Sequence, residues 1–365
     1  MAHAERNDIL VIGGGPAGAA AAAFAARGGA RAALLEQTET PGASQSGGWI
    51  GPKGVALCEE LGIKPASAIE FSQVILRSWD FKKHSIVNDA ELGGWIVPRG
   101  DLDRALLDAA RRAGATVKLG AAAQRLRLGE DCAAVSLADG SSETAEIVIL
   151  ADGLDSALAL QAGLPAAGRL AQLPETVSQE FEAAAGEVAL EFAIGAGRSA
   201  QLATLTRAHG RTRVTLSAHA VDVAVSVQFE RMLEAARGAG VIRGAALAPA
   251  QRQRIGAGAA LDLETHVAKR TLLAGDAGGF VSAFGNEGVY PAMLSGRIAA
   301  ETALAALKAR PLQDALPAYG DAWRMRLAEY LRLPNTDLAM LMPLVFGNAQ
   351  MSKRVARALL LGQHF

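Results

Sequence analysis

The stretch that decides the fold covers residues 8–36 and reads DILVIGGGPAGAAAAAFAARGGARAALLE. Asp8–Ile12 is a short apolar run, which is typical of a buried parallel strand. Pro16–Arg27 is rich in alanine and is followed by two glycines, a pattern that predicts a helix and its end. Arg31–Leu35 is a second apolar run of strand length. We therefore predict a strand–helix–strand unit in this part of the chain.

The turn between the first strand and the helix has the spacing GxGxxG. Gly13 permits a tight turn, Gly15 lets the backbone approach a pyrophosphate, and Gly18 lets the helix pack closely on the strand. Pro16 and Ala17 begin the helix, whose free N–H groups can face phosphate oxygens. A strand before the motif and a helix after it are the context that the motif requires. The turn is therefore predicted to bind a dinucleotide.

An acidic residue completes this pattern. Glu36 ends the second strand, where a carboxylate accepts hydrogen bonds from both ribose hydroxyls and disfavours a 2′-phosphate. Gln37, beside it, is included in the predicted site. The alternative, a glycine-rich turn in an apolar hairpin, does not account for the helix and the placed carboxylate together. A secretory signal is also not expected, because the apolar run lacks a basic start and is broken by glycines.

Composition limits the class of protein. The chain has 365 residues, of which 50% are hydrophobic and 20% are charged, so a folded protein of two domains is expected. The formal net charge of −1 gives no general attraction to nucleic acid. The two cysteines, Cys58 and Cys132, are too few for a disulfide framework. A cytoplasmic location is therefore expected.

Two further strands are followed by acidic turns. Ile147–Leu150 is followed by ADGLDS, which contains Asp152, and Thr271–Ala274 is followed by GDAGGF, which contains Asp276. A long helix rich in alanine and leucine is predicted to begin near Gly288. Because parallel strands bind ligands at their carboxyl ends, these motifs and the first turn are expected to converge on one edge of a sheet.

The three motifs GxGxxG…E, ADGxxS and GDA…EG together resemble the flavoprotein superfamily of p-hydroxybenzoate hydroxylase. The form GDAGGF…GNEGVYPAMLSGR is most similar to its geranylgeranyl reductase branch. The resemblance covers about residues 7–160 and 265–310. It implies FAD as cofactor and an α/β fold with a Rossmann-type, GR2-like FAD-binding domain, a β-sheet substrate domain and a C-terminal helical segment.

The resemblance also implies roles for individual residues. Asp276 is expected to hold the ribityl chain, and Gly288 and Val289 to offer backbone N–H groups to the flavin ring. Arg99, which opens a helix after a strand, is expected to contact the cofactor, although an exposed helix-start arginine is the alternative. Asp152 is linked to FAD and the pyridine nucleotide, although Asp-Gly is also an ordinary turn. The remaining candidates for the cofactor site are Ser46, Gly47 and Gly275.

The predicted domains are discontinuous in sequence. Residues 1–71, 99–160 and 265–310 are assigned to the FAD-binding domain, and residues 72–98 and 161–264 to the substrate domain. Residues 311–365 form the C-terminal helical region. The substrate domain is predicted to contain strands over Ser72–Trp79, His84–Val87, Glu187–Ile194, Ala200–Ala208, Arg211–Ala218 and Val221–Gln228.

The C-terminal region contains a basic amphipathic segment, Met351–Leu361. This pattern fits a helix on an anionic membrane surface, and it equally fits a terminal helix docked on the core. Peripheral membrane contact is therefore one of two open alternatives. Lys53 is interpreted as a surface lysine.

The leading functional hypothesis is an FAD-dependent reductase that passes hydride to a C=C bond of a small apolar, prenyl-like substrate. Trp49, Phe284 and Tyr290 are the candidate catalytic residues, with Tyr290 as the candidate proton donor. Two family features are missing: a Cys-Gly in the loop that here reads Gln45–Trp49, and an aromatic-x-Trp-x-Phe-Pro signature between residues 160 and 265. The isoprenoid substrate is therefore the weaker part of this hypothesis.

Two alternatives stay open. One is a flavin monooxygenase that activates oxygen at flavin C4a and hydroxylates an apolar or aromatic substrate. The other is a non-enzymatic prenyl-lipid carrier on the same fold. The sequence contains no GxSxG or HExxH motif, which disfavours hydrolase and zinc mechanisms. Because a second Rossmann unit is missing, the electron donor is either NAD(P)H bound transiently or another protein.

Overall fold

The predicted strand–helix–strand unit is present in the computed structural model, which describes residues 6–40, 48–196, 200–219, 223–336 and 338–363. Its parallel strands pair with Ile9 opposite Ala32. The strands of the described chain are β1 (Asn7–Ile12), β2 (Ala32–Leu35), β3 (Trp49–Ile50), β4 (Ile69–Phe71), β5 (Gln73–Ser78), β6 (His84–Asn88), β7 (Gly94–Ile96), β8 (Thr116–Lys118), β9 (Ala123–Leu128), β10 (Ala133–Leu137), β11 (Ser142–Leu150), β12 (Glu175–Glu182), β13 (Ala189–Ala196), β14 (Ala200–Ala208), β15 (Arg211–Ala218), β16 (Gln251–Arg254), β17 (Val267–Ala268) and β18 (Thr271–Leu273).

The helices flank these strands or follow them. They are α1 (Pro16–Arg27), α2 (Pro52–Glu60), α3 (Arg99–Arg112), α4 (Ala157–Gln161), α5 (Val225–Gly238), α6 (Val289–Lys308), α7 (Ala318–Leu331), α8 (Leu338–Val345) and α9 (Ala349–Leu361). The fold class predicted from the sequence is confirmed: an α/β protein with a parallel sheet at its N-terminal end and helices at its C-terminal end.

The first sheet has the order β17-β18-β11-β1-β2-β8, and β1, β2, β8, β11 and β18 run parallel. The apolar residues of its central strands, such as Ile9–Ile12 and Ile147–Leu150, are buried, as these apolar runs predict. An antiparallel hairpin of β9 and β10 extends from β11. The predicted strands before the two acidic turns are also present, so all three motifs lie at the carboxyl ends of parallel strands.

The second sheet has the order β16-β12-β15-β14-β13-β5-β6 and is antiparallel except between β13 and β5. Its strands come from the two segments that the sequence assigns to the substrate domain; the domain boundaries themselves stay a prediction. A third, three-stranded sheet has the order β3-β7-β4.

The predicted strand over Val221–Gln228 is wrong. Residues 221 and 222 lie outside the described chain, and from Val225 onward the segment is helix α5. Val225, Phe229 and Met232 are buried at helical spacing and pack on the second sheet. The alternation of apolar and polar residues covers only Val221–Gln228, whereas the helical spacing of apolar residues continues to Ala236. The longer pattern therefore decides the conformation.

Helix α9 docks on the protein interior. Val355, Leu359 and Leu360 are buried in the cluster that includes the apolar residues of β5 and β13. On its polar side, Arg357 forms ion pairs with Asp89, at 2.6 Å, and with Glu91. The apolar side of the helix therefore faces the core, as in the docked alternative. In the part of the chain described, we find no helix with the length and apolar content needed to cross a membrane.

Helices α1 and α6 pack at close backbone distance, because a Cβ at Gly296 would lie 2.1 Å from the Ala17 carbonyl oxygen. We expect Gly296→Ala to lower the free energy of unfolding by about 1–3 kcal/mol, since the helices must separate. Gly238→Ala is the matched control, because a Cβ at Gly238, also in a helix, meets no atom within 4 Å. Urea unfolding that gives equal stabilities for the two variants would contradict this packing constraint.

Candidate cofactor and active site

A single large cavity of about 630 Å³ lies between the carboxyl edge of the first sheet and one face of the second. It brings together motifs that are far apart in sequence. The predicted cofactor residues among its lining are Gly13, Gly15, Pro16, Ala17, Glu36, Gln37, Arg99, Asp152, Asp276, Gly288 and Val289. Gly18 and Gly275 lie beneath this lining, and the predicted residues Ser46 and Gly47 lie outside the described chain.

The glycine turn has the geometry that its sequence predicts. Gly13 has a φ of +103°, and a Cβ there would lie 2.2 Å from the Ala151 carbonyl oxygen. A Cβ at Gly18 would lie 1.9 Å from the Gly13 oxygen, whereas one at Gly15 would come no closer than 3.8 Å to the Arg99 guanidinium. No side chain caps the N-terminus of α1. Its free N–H groups therefore open on a space that a phosphate can enter.

Glu36 connects this turn to the end of β2. Its carboxylate accepts hydrogen bonds from the Gly14 backbone N–H at 2.6 Å and from the Thr38 N–H and hydroxyl, each at 2.8 Å. Carboxylate oxygens have further lone pairs, so these contacts leave capacity for ribose hydroxyls. Thr38, which sequence reasoning missed, holds the carboxylate in this orientation.

Arg99 begins α3 and points into the cavity lining. Its side chain is only 17% exposed, and its Nε donates to Asp103 Oδ1 at 2.7 Å. The alternative of a solvent-exposed helix-start arginine therefore does not describe its position. Burial raises the pKa of Asp103, and the positive charge of Arg99 opposes this rise.

The two acidic turns each contribute a carboxylate. Asp276 opens into the cavity, and desolvation by the surrounding protein raises its pKa while Arg99 opposes the rise. Asp152 Oδ2 accepts a hydrogen bond from the Ser156 hydroxyl at 2.9 Å. Asp152 Oδ1 is buried and has no hydrogen-bond partner within the described residues. A buried oxygen without a partner is costly, so it indicates a ligand group that donates to it.

Helix α6 begins at the cavity wall. Gly288 is its N-cap, and no side chain caps this end. The helix has 20 residues, and the positive end of its dipole lies beside the cavity. Backbone N–H groups at Gly288 and Val289 can therefore face a polar edge of a bound ring.

Glu287, next to this N-cap, is the glutamate of the GDA…EG motif, to which the sequence analysis gave no role. It is buried, accepts from the Gly51 N–H at 3.1 Å, and also accepts from the Tyr330 hydroxyl. Burial raises the pKa of Glu287 to about 7, although these hydrogen bonds and the charge of Lys53 oppose the rise. An acidic residue between a strand end and a glycine N-cap is the sequence signal that could have identified it.

The surface interpretation of Lys53 is wrong. Its Nζ lies 5.7 Å from the Tyr290 ring and 5.2 Å from the Tyr330 ring, which are distances for cation–π contact. Desolvation lowers the pKa of Lys53. The lysine is held here because two tyrosines and the Glu287 carboxyl group surround its charge.

The three candidate catalytic residues occupy different places. Trp49 lines the large cavity and packs edge-to-face on Phe192, with ring centroids 5.6 Å apart. Phe284 lines a smaller cavity of about 90 Å³. Tyr290 packs behind the described lining of the large cavity, against Tyr330 with ring centroids 4.8 Å apart, and burial raises the pKa of Tyr290 to about 12. Of these three candidates, only Trp49 is among the described residues that line the large cavity.

These features fit FAD. The uncapped start of α1 and the turn that a side chain would fill match a pyrophosphate. The Glu36 carboxylate at the end of β2 matches an adenine ribose. The unpartnered Asp152 oxygen matches a polar chain that can donate a hydrogen bond. A family model described as "FAD binding domain" matches residues 6–319. The chain is 27% identical over 338 residues to the digeranylgeranylglycerophospholipid reductase of Methanocaldococcus jannaschii, covering 89% of this chain and 84% of that protein.

Solved structures share the fold. A geranylgeranyl bacteriochlorophyll reductase-like protein from Thermoplasma acidophilum superposes with a TM-score of 0.79 at 19% identity, covering 98% of this chain and 96% of the other. PqsL of Pseudomonas aeruginosa, described as a probable FAD-dependent monooxygenase, superposes with a TM-score of 0.71 at 17% identity, covering 96% and 99%. The architecture therefore occurs in proteins described as reductase-like and as a monooxygenase.

The position of Asp276 makes its contribution to FAD affinity measurable. We expect Asp276→Ala to weaken FAD binding about 10- to 100-fold, because one charged hydrogen bond to the cofactor is lost. Asp262→Ala is the control, since Asp262 is exposed to solvent. Titration of apoprotein with FAD, followed by flavin fluorescence, measures both affinities; an unchanged affinity in Asp276→Ala would contradict the predicted contact.

The raised pKa of Glu287 predicts how stability depends on pH. A carboxyl group with a pKa of about 7 in the folded protein and an ordinary pKa of 4.5 in the unfolded chain stabilises the fold when protonated, so this contribution is present below pH 4.5 and is lost as pH rises to 7. The loss is at most about 1.4 kcal/mol per pH unit.

We expect Glu287→Gln, which resembles the protonated group, to flatten the decline in the free energy of unfolding between pH 5 and 7. The control is Glu264→Gln at an exposed site, which should keep the wild-type profile. Urea unfolding at each pH with a fixed FAD concentration gives the comparison. A Glu287→Gln profile parallel to that of the wild type would show that Glu287 is already ionised at pH 5.

Proposed function

The chain belongs to the family described as "FAD binding domain", and we propose that it is a flavin-dependent reductase that adds hydrogen across a C=C bond of an apolar, prenyl-like substrate. The chain is an FAD-dependent oxidoreductase of the superfamily that includes geranylgeranyl reductases and FAD monooxygenases. The choice of reduction, and of this substrate class, is the proposal.

The observation that carries the proposal is the similarity to the digeranylgeranylglycerophospholipid reductase. It extends over 89% of this chain and 84% of that protein, and so continues well beyond the three cofactor motifs. A likeness restricted to the cofactor site would be compatible with any flavin chemistry. A similarity that also includes the second sheet supports a related substrate and reaction.

In this proposal the chain binds and orients the cofactor. The Gly13–Gly18 turn and the N-terminus of α1 bind the pyrophosphate, Glu36 the adenine ribose, and Asp276 the ribityl chain. The N-terminus of α6 stabilises negative charge on the ring edge that it faces. When bound, FAD supplies hydride transfer. The electron donor stays a prediction, either NAD(P)H or another protein.

The walls of the cavity exclude water and position the substrate. Trp49, buried against Phe192 of the second sheet, closes the cavity on one side. A substrate double bond would be held between this wall and the cofactor site. Tyr290 stays a predicted proton donor, although it packs behind the described lining.

A monooxygenase is the second candidate, and the superposition on PqsL favours it. The turn after β18 reads GDAGGF, with glycine where monooxygenases of this superfamily usually have histidine. For this reason we rank oxygenation below reduction.

Anaerobic flavin reoxidation separates the two reactions. We expect the FAD-loaded protein, reduced with dithionite, to be reoxidised without oxygen by geranylgeraniol, and geranylgeraniol to gain two hydrogens at a C=C bond by mass spectrometry. Phytanol, which is saturated, is the control and should leave the flavin reduced. Reoxidation only after air is admitted, together with an oxygenated product, would establish the monooxygenase instead.

A further inference from the structure

The wall that the second sheet gives to the large cavity is rich in hydroxyl groups. Thr176, Thr204, Thr215 and Ser217 all line the cavity, on the neighbouring strands β12, β14 and β15. Thr176 pairs with Ser217 across β12 and β15, and Thr204 pairs with Thr215 across β14 and β15. Side chains paired in this way lie about 5 Å apart on one face of a sheet. We call these four residues the hydroxyl patch.

Toward β13 and β5, the same face of the sheet is apolar. On β13 and β5, Leu190, Phe192 and Leu76 are fully buried in the cluster that includes Trp49 and α9. On β12, β14 and β15 this face carries hydroxyl groups instead, and those of the patch reach the cavity, whereas Ser178 and Thr206 lie beside it. The hydroxyl groups that face the cavity are therefore those that a bound molecule could reach.

One hydroxyl of the patch lacks a partner. Thr176 and Ser217 share a hydrogen bond of 3.3 Å. Thr215 Oγ1 is buried and has no hydrogen-bond partner in the described chain. A buried hydroxyl without a partner destabilises a protein, and valine has the same shape without this cost. The threonine therefore indicates a partner that comes from a bound molecule.

The charges around the cavity decide the class of that molecule. Arg99 and Arg254, the arginines of the described lining, are each ion-paired at 2.7 Å, with Asp103 and Asp155 respectively. Five carboxyl groups also line the cavity: Glu36, Asp152, Asp155, Asp276 and Glu287. The patch itself holds no charged side chain, and Arg254, on the neighbouring strand β16, is occupied by Asp155 and by the Gly168 carbonyl oxygen, so an anionic group at the patch would have no free cation beside it among the described lining residues.

We propose that the hydroxyl patch binds an uncharged oxygen group of the substrate, such as a hydroxyl, ether or carbonyl. This inference rests on the proposed function and narrows its substrate class from an apolar molecule to a neutral amphiphile. The smaller cavity offers a place for a few carbons of the hydrocarbon part next to the oxygen group, because Ile194, Leu202 and Phe284 line it. It shares Ser217 and Asn286 with the lining of the large cavity. The oxygen and the hydrocarbon of one molecule would thus lie on either side of Ser217.

Three prenyl compounds with one carbon skeleton test this assignment. The FAD-loaded protein is titrated with farnesol, farnesyl phosphate and β-farnesene, and binding is followed by the change in flavin absorbance. We expect farnesol to bind most tightly. Thr215→Val should weaken farnesol binding about 3- to 10-fold and leave β-farnesene binding unchanged, since one hydrogen bond is lost. Thr212→Val, on the opposite face of β15, is the control and should change neither affinity.

Two further readouts separate the proposal from a structural role. Thr215→Val should keep or raise the melting temperature of the FAD-loaded protein without farnesol, because a hydroxyl without a partner is removed. It should also leave the affinity for FAD unchanged. Weaker FAD binding in this variant would assign the hydroxyl to the cofactor and overturn the proposal.

The remaining outcomes are equally distinct. Tighter binding of farnesyl phosphate than of farnesol, equal loss of farnesol affinity in Thr212→Val, or no binding of farnesol would each overturn the proposal. Binding that depends on Thr215 without anaerobic reduction of any prenyl compound would support the patch and remove the proposed reductase function. Failure of the proposed reductase function can therefore be distinguished from failure of the proposed role of the hydroxyl patch.

Discussion

Backbone contact at the first helix is the constraint on which the rest of the structure depends. Gly18 faces the carbonyl oxygen of Gly13, and Gly296 on α6 faces that of Ala17, at distances that leave no room for a Cβ. Helix α1 is thus held tightly between the first strand and α6. Because both helices begin at the same cavity, their uncapped N-termini concentrate positive potential there. The cofactor site is a consequence of this packing.

The buried polar groups behind the cavity connect the C-terminal helices to this site. Glu287 precedes the N-cap of α6 and accepts hydrogen bonds from Gly51 at the start of α2 and from Tyr330 on α7. The oxygen of the Tyr330 hydroxyl also lies 3.5 Å from the carbonyl oxygen of Leu360 on α9. One carboxyl group therefore joins the ends of four helices. A change in its charge would act on the loop that faces the cofactor and on the docking of α7 and α9 together.

Much of the fold and of the cofactor site was predictable because the signals are local. Strand, glycine turn and helix follow one another within residues 7–27, and hydrophobic period and glycine spacing describe them directly. The features that were missed depend on contacts distant in sequence. Tyr330 is 43 residues from Glu287, and Gly51 is 236 residues from it, so no local pattern shows that they meet. The error at Val225 had a different cause, since a short alternation was preferred to the longer helical repeat.

The character of the substrate wall also depended on topology. In sequence, the alternation in β14 and β15 predicts strands, and the polar face of such strands is ordinarily solvated; β12 was not predicted. Here α5 covers the apolar face of these strands, so their hydroxyl face turns toward the cavity. The sequence analysis expected an apolar substrate. Sequence composition cannot show which face of a sheet is enclosed, so it gave no sign of a wall of hydroxyl groups. Enclosed hydroxyl groups bind only what can hydrogen-bond to them, and this makes the wall selective where an aliphatic wall would accept any hydrocarbon.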